Sequence, residues 1–296
     1  MPLALIQLAL AMAITGSNVV VGKLLAQAMP VPAVLFLRCV LAAAIMAPAG
    51  LRGTLRPPRG WMLGNIVVQA ATGTVLYNLF LLAGLRRTGA LQAGIVLSAL
   101  PAVVALGAAA VLHERLSGRR WIAVALAAAG VAVVAFARNA DLHGSATGDA
   151  LVMGSVVCEG SFVLLSRLAA NRMAAARVIF WMQVVSALLL APFAVPLLPD
   201  AWPALMRPQI AALFAYHTIS ASVLCTLLWY AGMRRVPASL AGIFTIFLPV
   251  TSAVLAVLIL GERFVPALGV GFVLTLASLT LATWPSTRTR GRVKPI

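Results

Sequence analysis

Glu159 is the only acidic residue deep inside a long apolar run of this 296-residue sequence. A carboxylate in the middle of a membrane-length apolar segment is costly to bury, so its presence there indicates a function. It can attract an ammonium group, or it can bind and release a proton. The alternative is a structural ion pair with Arg38 or His217, and the sequence leaves these interpretations open.

Arg38 lies in the middle of another apolar run. Its planar guanidinium suits a carboxylate, which it can bind through two parallel hydrogen bonds. The same side chain can instead hold helices together by donating to backbone carbonyl groups. His217 follows Tyr216 within a further run. A histidine in such a place more often links helices by hydrogen bonds than carries protons, and a role in a cavity is the second interpretation.

The other polar and aromatic residues within apolar runs are candidates for the wall of a pocket. Tyr77, Asn78 and Trp181 lie deepest in their runs. A pocket with aromatic walls and few polar anchors suits bulky zwitterions. Trp229 and Tyr230 lie toward the end of a run, where an aromatic belt at the membrane surface is expected. The remaining candidates are Asn18, Ser98 and Gln183.

Pro101 and Pro249 stand near the middle of two other apolar runs. Proline has no N–H to donate to the carbonyl four residues back, so the carbonyls of Leu97 and Thr245 are expected to lose their helical partner. Such a gap is tolerated in a membrane where protein or a water-filled cavity covers it. The symmetric positions favour paired hinges beside a central cavity, and the alternative is a packing kink without substrate contact.

No enzyme motif is present. The sequence contains no zinc-binding H-E-x-x-H, no G-x-S-x-G and no phosphate-binding P-loop. All three cysteines, Cys39, Cys158 and Cys225, fall inside apolar runs, so a disulfide framework is not expected. The sequence therefore predicts a protein that is not an enzyme and has neither a cofactor nor a metal ion.

The composition is that of a membrane protein. The chain is 62% apolar and 9% charged, with a mean hydropathy of +1.05, whereas soluble domains carry roughly 25% charged residues. The net charge of +16 does not indicate nucleic acid, because the Lys and Arg residues stand in short gaps between apolar runs. The expected partners are the lipid bilayer and a small-molecule substrate.

The apolar runs predict the elements that position these residues. Each run is about 20 residues long, which suffices to cross a bilayer as a helix. The sequence therefore predicts an all-α integral membrane protein with ten transmembrane helices. They cover residues 3–26, 31–50, 61–83, 89–112, 119–137, 148–171, 174–197, 207–233, 237–260 and 264–284.

The second half of the chain repeats the first. Residues 83–115 and 231–263 are identical at 15 of 33 positions with a constant offset of 148. The first two helices of each half align at an offset of 144. This predicts a first repeat over 1–137, a second over 148–284 and a basic cytoplasmic tail over 285–296. Because each repeat has five helices, the second is expected to be inverted in the membrane.

Charge counting sets the orientation. With the N-terminus inside, 15 Lys and Arg residues fall at cytoplasmic ends and six at external ends. This bias places both termini in the cytoplasm, as in a bacterial inner-membrane protein. Inverted repeats allow one half to adopt the shape of the other, which opens a central cavity to alternate sides. The sequence thus predicts a transporter that works by alternating access and functions as a monomer.

Short motifs are spread along the whole chain. They are Gly16-Ser17-Asn18 with Lys23, Phe36-Leu37-Arg38, Tyr77-Asn78, Ala83-Gly84-Leu85-Arg86, Pro101, Glu114-Arg115, Gly148-Asp149, Leu228-Trp229-Tyr230-Ala231, Pro249 and Glu262-Arg263. In these residues the chain resembles the EamA branch of the drug/metabolite transporter superfamily, over essentially all ten spans. The resemblance implies export of small metabolites, with amino-acid exporters of the YddG type as a prominent class. The sequence departs from the family at Cys158-Glu159-Gly160, where an aromatic-small pair is common.

The expected function is export of amino acids, aromatic ones among them, or of related small metabolites across the inner membrane. Facilitated efflux and exchange with protons both fit the sequence. A multidrug exporter is an alternative, because it would use an acid such as Glu159 to attract cations. An exchanger of nucleotide sugars or phosphorylated metabolites is a further alternative, although it would need two or more cations in the cavity and only Arg38 is clearly deep.

Overall fold

The described residues of the protein are helical. The computed structural model describes residues 2–52, 57–97, 99–111, 145–236, 247–261 and 266–283, with isolated residues between 118 and 133 and between 241 and 245. The described helices are α1 (Pro2–Ala28), α2 (Val31–Gly50), α3 (Trp61–Leu85), α4 (Ala90–Leu97), α5 (Leu100–Val111), α6 (Ala146–Ala169), α7 (Ala175–Leu205), α8 (Pro208–Met233), α9 (Phe247–Leu260) and α10 (Pro266–Thr283).

Six of the described helices are long and apolar enough to cross a bilayer: α1, α2, α3, α6, α7 and α8. They coincide with six of the predicted spans, which makes the prediction of a multi-helix membrane protein correct. The predicted span 119–137 lies almost wholly outside the described residues, as do most of 237–246 and the tail 285–296.

The seventh predicted span is longer than expected. The sequence predicts its end at residue 197, but α7 continues through a short 3₁₀ turn, Val195–Leu197, to Leu205. Pro196 and Pro199 each stand at the start of a helical segment. A proline in that position loses no hydrogen bond, because the first N–H groups of a helix have no partner within it.

The two symmetric prolines lie at helix starts and not in the middle of continuous helices. Within the described residues α4 ends at Leu97 and α5 begins at Leu100, so Pro101 is in the first turn of α5. Pro249 is likewise in the first turn of α9. The Thr245 carbonyl, expected to be free, accepts a hydrogen bond from the Leu248 N–H at 3.1 Å. The expectation of an unpaired carbonyl at this position is therefore wrong.

Two long helices contain a π-helical segment at matching positions. In α3 the segment is Ala70–Leu76, and in α8 it is Thr218–Cys225, so their first residues are related by the offset of 148 between the two halves. Polar side chains bond carbonyls in and next to these segments: Asn78 Nδ2 donates to Thr74 O at 2.7 Å, and Thr226 Oγ1 donates to Ala221 O at 3.2 Å. Segments of this kind often mark functional sites inside helices.

Arginine side chains join helix ends in the same way in both halves. Arg86 Nε donates to Ala26 O at 3.0 Å, and Arg234 Nε donates to Ala170 O at 2.9 Å. The first bond places the end of α1 beside the end of α3. Asp149 accepts from Thr88 Oγ1 at 3.3 Å, which places the start of α6 at that same end of the bundle. Helix α1 therefore ends where α6 begins, and the two helices run in opposite directions.

Two glycines allow helices from different halves to approach closely. A Cβ on Gly84 of α3 would lie 2.9 Å from Gly148 O of α6. A Cβ on Gly232 of α8 would lie 3.0 Å from Ala4 O of α1. A side chain at either position would meet backbone, so these helix pairs depend on glycine. Helix α1 thus packs on α8, and α6 packs on α3, while α2 packs extensively on α7.

Candidate functional site

A polar cavity of about 80 Å³ lies where α1, α2, α3, α6, α7 and α8 meet. The π-helical segments of α3 and α8 both contribute to its wall. The wall is part polar and part apolar, as is typical of small-molecule sites. Its polar members are Thr15, Asn18, Arg38, Thr74, Tyr77, Asn78, Glu159, Gln183, His217, Ser222 and Thr226.

Most of the residues singled out from the sequence meet at this cavity, namely Asn18, Arg38, Tyr77, Asn78, Glu159, Gln183 and His217. Trp181 does not line it: this half-buried ring packs edge-on against Phe180, with centroids 5.2 Å apart. Pro101 is also outside the wall, and the side chain of Pro249 lies outside the described part of the chain. Ser98 lies outside the described residues.

Arg38 is held by side chains from two other helices. It is 3% exposed, and its Nη1 donates to Asn78 Oδ1 at 3.2 Å and to His217 Nε2 at 3.1 Å. His217 Nδ1 lies 2.7 Å from Asn18 Oδ1. Because a guanidinium only donates and an amide oxygen only accepts, His217 is neutral, with its proton on Nδ1. Among the described residues, Arg38 donates to an amide and an imidazole, and not to the backbone carbonyls considered from sequence.

The orientation of the Asn18 amide is fixed independently of His217. Its Nδ2 donates to the Ile14 carbonyl at 2.8 Å and to Ser220 Oγ at 2.9 Å. The oxygen must then face His217 and Ser220, whose hydroxyl donates to it at 3.1 Å. The chain of bonds from α1 through α8 to α2 and α3 positions the guanidinium at the cavity, and His217 serves as a link between helices.

Glu159 lines the same cavity from α6 and is 6% exposed. Among the described residues no hydrogen bond or ion pair engages its carboxylate, so the structural pair with Arg38 or His217 is not formed. Tyr77 Oη, Gln183 Oε1 and Arg38 Nε are also buried without a partner in this part of the chain. Buried polar groups are nearly always paired, so these unpartnered atoms in one cavity wall are a distinctive feature of the site.

The composition, the helical bundle and the central polar cavity together are those of a membrane transporter. The sequence matches the EamA-like transporter family over residues 2–136 and 146–284, which is nearly the whole chain. The chain belongs to this family. It is thus a transporter of the drug/metabolite transporter superfamily, which confirms the resemblance seen in the sequence motifs.

The EamA-like transporter has a relative in Bacillus subtilis (strain 168), named uncharacterized transporter YetK, to which it is 29% identical over 281 residues. The alignment covers 88% of this chain and 81% of the relative. A solved structure described only as the crystal structure of a protein is similar with a TM-score of 0.67 and 22% identity, over 92% of this chain and 96% of that one. The similarity to the solved structure shows a shared fold.

Sequence reasoning missed several cavity residues of this EamA-like transporter, yet the repeat offset identifies them. Most of the wall consists of pairs that occupy equivalent positions in the two halves. Applying the offset to five predicted residues finds a missed counterpart in the wall each time, namely for Asn18, Arg38, Tyr77, Asn78 and Glu159. The pairs are Thr15 and Glu159, Asn18 and Phe162, Arg38 and Met182, Gly73 and Ala221, Thr74 and Ser222, Tyr77 and Cys225, and Asn78 and Thr226.

Trp229 and Tyr230 of the EamA-like transporter do not form a surface belt, so that expectation is wrong. They are 1% and 0% exposed. Trp229 Nε1 donates to Ser166 Oγ at 3.0 Å, and the Tyr230 hydroxyl donates to Gln69 Oε1. Both rings lie between helices, where their polar atoms find partners that membrane headgroups would otherwise supply.

Proposed function

We propose that this EamA-like transporter is a secondary exporter of amino acids and related small zwitterions, and that the central cavity holds the substrate. The observation that carries the proposal is the joint placement of Arg38 and Glu159 in one wall without an ion pair between them. A zwitterion supplies a carboxylate for the guanidinium and an ammonium for the carboxylate. Both charges are then paired in a buried site, where an unpaired charge is costly.

The charge balance of the cavity favours this substrate class over the two alternatives. Within the described wall there is one fixed cation, Arg38, and one acid, Glu159. A nucleotide sugar or a phosphorylated metabolite carries at least two negative charges and would leave part of them unpaired. A cationic drug would be repelled by Arg38, which cannot lose its proton. Neither class of substrate pairs with both the Arg38 guanidinium and the Glu159 carboxylate.

We infer that the halves form an inverted repeat and that export proceeds by alternating access. The opposite directions of α1 and α6 support this, as do the matched bonds of Arg86 and Arg234 and the matched π-helical segments. A cavity built from equivalent positions of two inverted halves can open to either side when the halves exchange shapes. One chain supplies both halves, so the transporter functions as a monomer.

The cellular placement follows from charge. The excess of Lys and Arg at one set of helix ends, 15 against six, supports a cytoplasmic location of both termini. The transporter then resides in the plasma membrane of a bacterial cell. Substrate enters the cavity from the cytoplasmic side and leaves it on the outside.

The proposal is tested with purified protein in liposomes. Liposomes loaded with unlabelled alanine are diluted into labelled alanine, and accumulation of label by exchange is expected. Protein-free liposomes and liposomes loaded with a sugar phosphate serve as controls, and a cationic dye tests the multidrug alternative. Absence of exchange for every amino acid, or exchange for the dye or the sugar phosphate alone, overturns the proposed substrate class.

A further inference from the structure

We propose that Phe162 sets the upper size limit of the substrate, so that the cavity selects small amino acids such as glycine and alanine over aromatic ones. This inference rests on the proposed function and adds substrate size to it. It also departs from the expectation of bulky zwitterions that the aromatic residues of the sequence suggested.

The cavity is small compared with most amino acids. Its volume is about 80 Å³. A bound water requires roughly 10–15 Å³ of cavity volume, so this cavity has room for about five to eight non-hydrogen atoms. Glycine, alanine and serine fall within this range, whereas phenylalanine and tryptophan exceed it. A larger substrate therefore requires one wall to withdraw.

Phe162 cannot withdraw toward α3. It is 8% exposed and packs against Gly73 in the π-helical segment of that helix. A Cβ on Gly73 would lie 2.5 Å from Phe162 Cδ2 and 2.8 Å from its Cβ. The ring thus already fills the space that the absent side chain leaves, and it rests on backbone. Interiors packed in this way resist displacement.

The ring is also placed where a substrate side chain must go. Phe162 follows Glu159 by three residues on α6, so both side chains lie on the same face of the helix. An ammonium bound at Glu159 brings the adjacent substrate carbon close to the ring. The equivalent position in the other half is Asn18, whose amide is fixed by Ile14 and Ser220. Neither the Phe162 ring nor the Asn18 amide can move aside for a bulky substrate side chain.

The chain offers a matched control at the same helix pair. Phe80 of α3 packs against Gly154 of α6, where an added Cβ would lie 3.1 Å from Phe80 Cδ2. The arrangement is the reverse of Gly73 and Phe162, but Phe80 is not part of the cavity wall. The variant Phe80→Ala therefore removes a ring from the same interface and leaves the proposed size limit in place.

The test measures inhibition of alanine exchange in liposomes by unlabelled glycine, leucine, phenylalanine and tryptophan. For the wild type, glycine inhibits and the aromatic amino acids do not. In Phe162→Ala the half-inhibitory concentrations of phenylalanine and tryptophan fall at least tenfold, while Phe80→Ala keeps the wild-type order. Gly73→Ala presses the ring into the cavity, so its affinity for alanine falls more than that for glycine.

The outcomes separate this inference from the proposed function. If the wild type exchanges no amino acid, the proposed function fails and the size limit fails with it. If the wild type exchanges alanine but tryptophan inhibits it equally well, only the size limit is overturned. The same holds if Phe162→Ala, shown to be folded by its unfolding temperature, keeps the wild-type order. Should Phe162→Ala not fold, the alanine-to-glycine preference of Gly73→Ala decides, and an unchanged preference overturns the limit.

Discussion

At the scale of single residues, the cavity is defined by what its polar groups lack. Arg38 is positioned by Asn78 and His217, yet its Nε remains without a partner among the described residues. Glu159 forms no hydrogen bond or ion pair in that part of the chain. Both groups are buried, so the Arg38 Nε and the Glu159 carboxylate lose hydration without a compensating protein hydrogen bond unless a ligand is bound. This contrast between a positioned cation and an unengaged acid gives the two residues separate, testable roles.

Arg38→Lys keeps the positive charge and removes the planar fork. We expect KM for alanine to rise roughly ten- to a hundred-fold with little change in kcat, because hydrogen bonds to charged groups contribute about 1.5–3 kcal/mol. Exchange rates over a range of alanine concentrations give both constants. Arg86→Lys, at a helix end outside the cavity wall, is the control. An unchanged KM in Arg38→Lys would show that this side chain does not bind the substrate carboxylate.

Glu159→Gln preserves the shape of the side chain and removes its charge. If Glu159 binds the substrate ammonium, the variant loses preference for alanine over propionate, which has the same carboxylate but no ammonium. Competition by propionate in the exchange assay measures this preference. A second readout is flux with and without a pH gradient across the liposome. A variant that keeps its preference for alanine but loses dependence on the gradient would identify Glu159 as a proton carrier instead.

At the scale of helices, the same close contact between the two halves occurs twice, once with the glycine in each half. Gly84 meets Gly148 O, and Gly232 meets Ala4 O. We expect Gly84→Ala and Gly232→Ala to be destabilised by about 1–3 kcal/mol each, since an added methyl group must displace backbone. Gly64 of α3 has open space around it, so Gly64→Ala is the control. There the methyl group improves helix propensity by up to about 1 kcal/mol.

Thermal unfolding in detergent measures all three glycine variants. Lower unfolding temperatures for Gly84→Ala and Gly232→Ala, with an equal or higher one for Gly64→Ala, are the expected pattern. If only one of the first two variants is destabilised, the two contacts are not equivalent. The structural match between the halves would then not extend to their energetics.

The limits of sequence reasoning also appear at this scale. Apolar runs predicted the long helices, because length and hydropathy suffice to recognise a span. The runs did not predict which face of α8 is buried, and so Trp229 and Tyr230 were assigned to the surface. Thr15 gave no signal as a cavity residue, since its hydroxyl donates to the Ala11 carbonyl at 2.9 Å and is therefore inexpensive in a membrane. Arg38 and Glu159 are recognisable as cavity residues from sequence, because a hydrogen bond within the same helix cannot offset the cost of a buried charge.

At the scale of the whole molecule, the inverted arrangement makes a prediction about sidedness. Gln27 and Asn171 occupy equivalent positions in the two halves, and both are exposed at helix ends. The bond from Arg86 to Ala26 places Gln27 at one end of the bundle, and the bond from Arg234 to Ala170 places Asn171 at the other. The proposed inverted repeat therefore predicts that these equivalent residues face opposite sides of the membrane. The native Cys39, Cys158 and Cys225 are buried, so a single added cysteine can report its position.

Labelling with a membrane-impermeant maleimide reads out that position in intact cells. Gln27→Cys is expected to react from outside, since the charge bias puts the N-terminus in the cytoplasm and the end of α1 outside. Asn171→Cys is expected to react only after the membrane is permeabilised. Labelling of both variants from the same side would disprove the inverted repeat. If only Asn171→Cys reacts in intact cells, the repeat is inverted but both termini lie outside, which overturns the predicted orientation alone. The two positions are equivalent and both exposed, and they differ in the half of the chain to which they belong. Their comparison therefore tests the inverted topology on which alternating access depends.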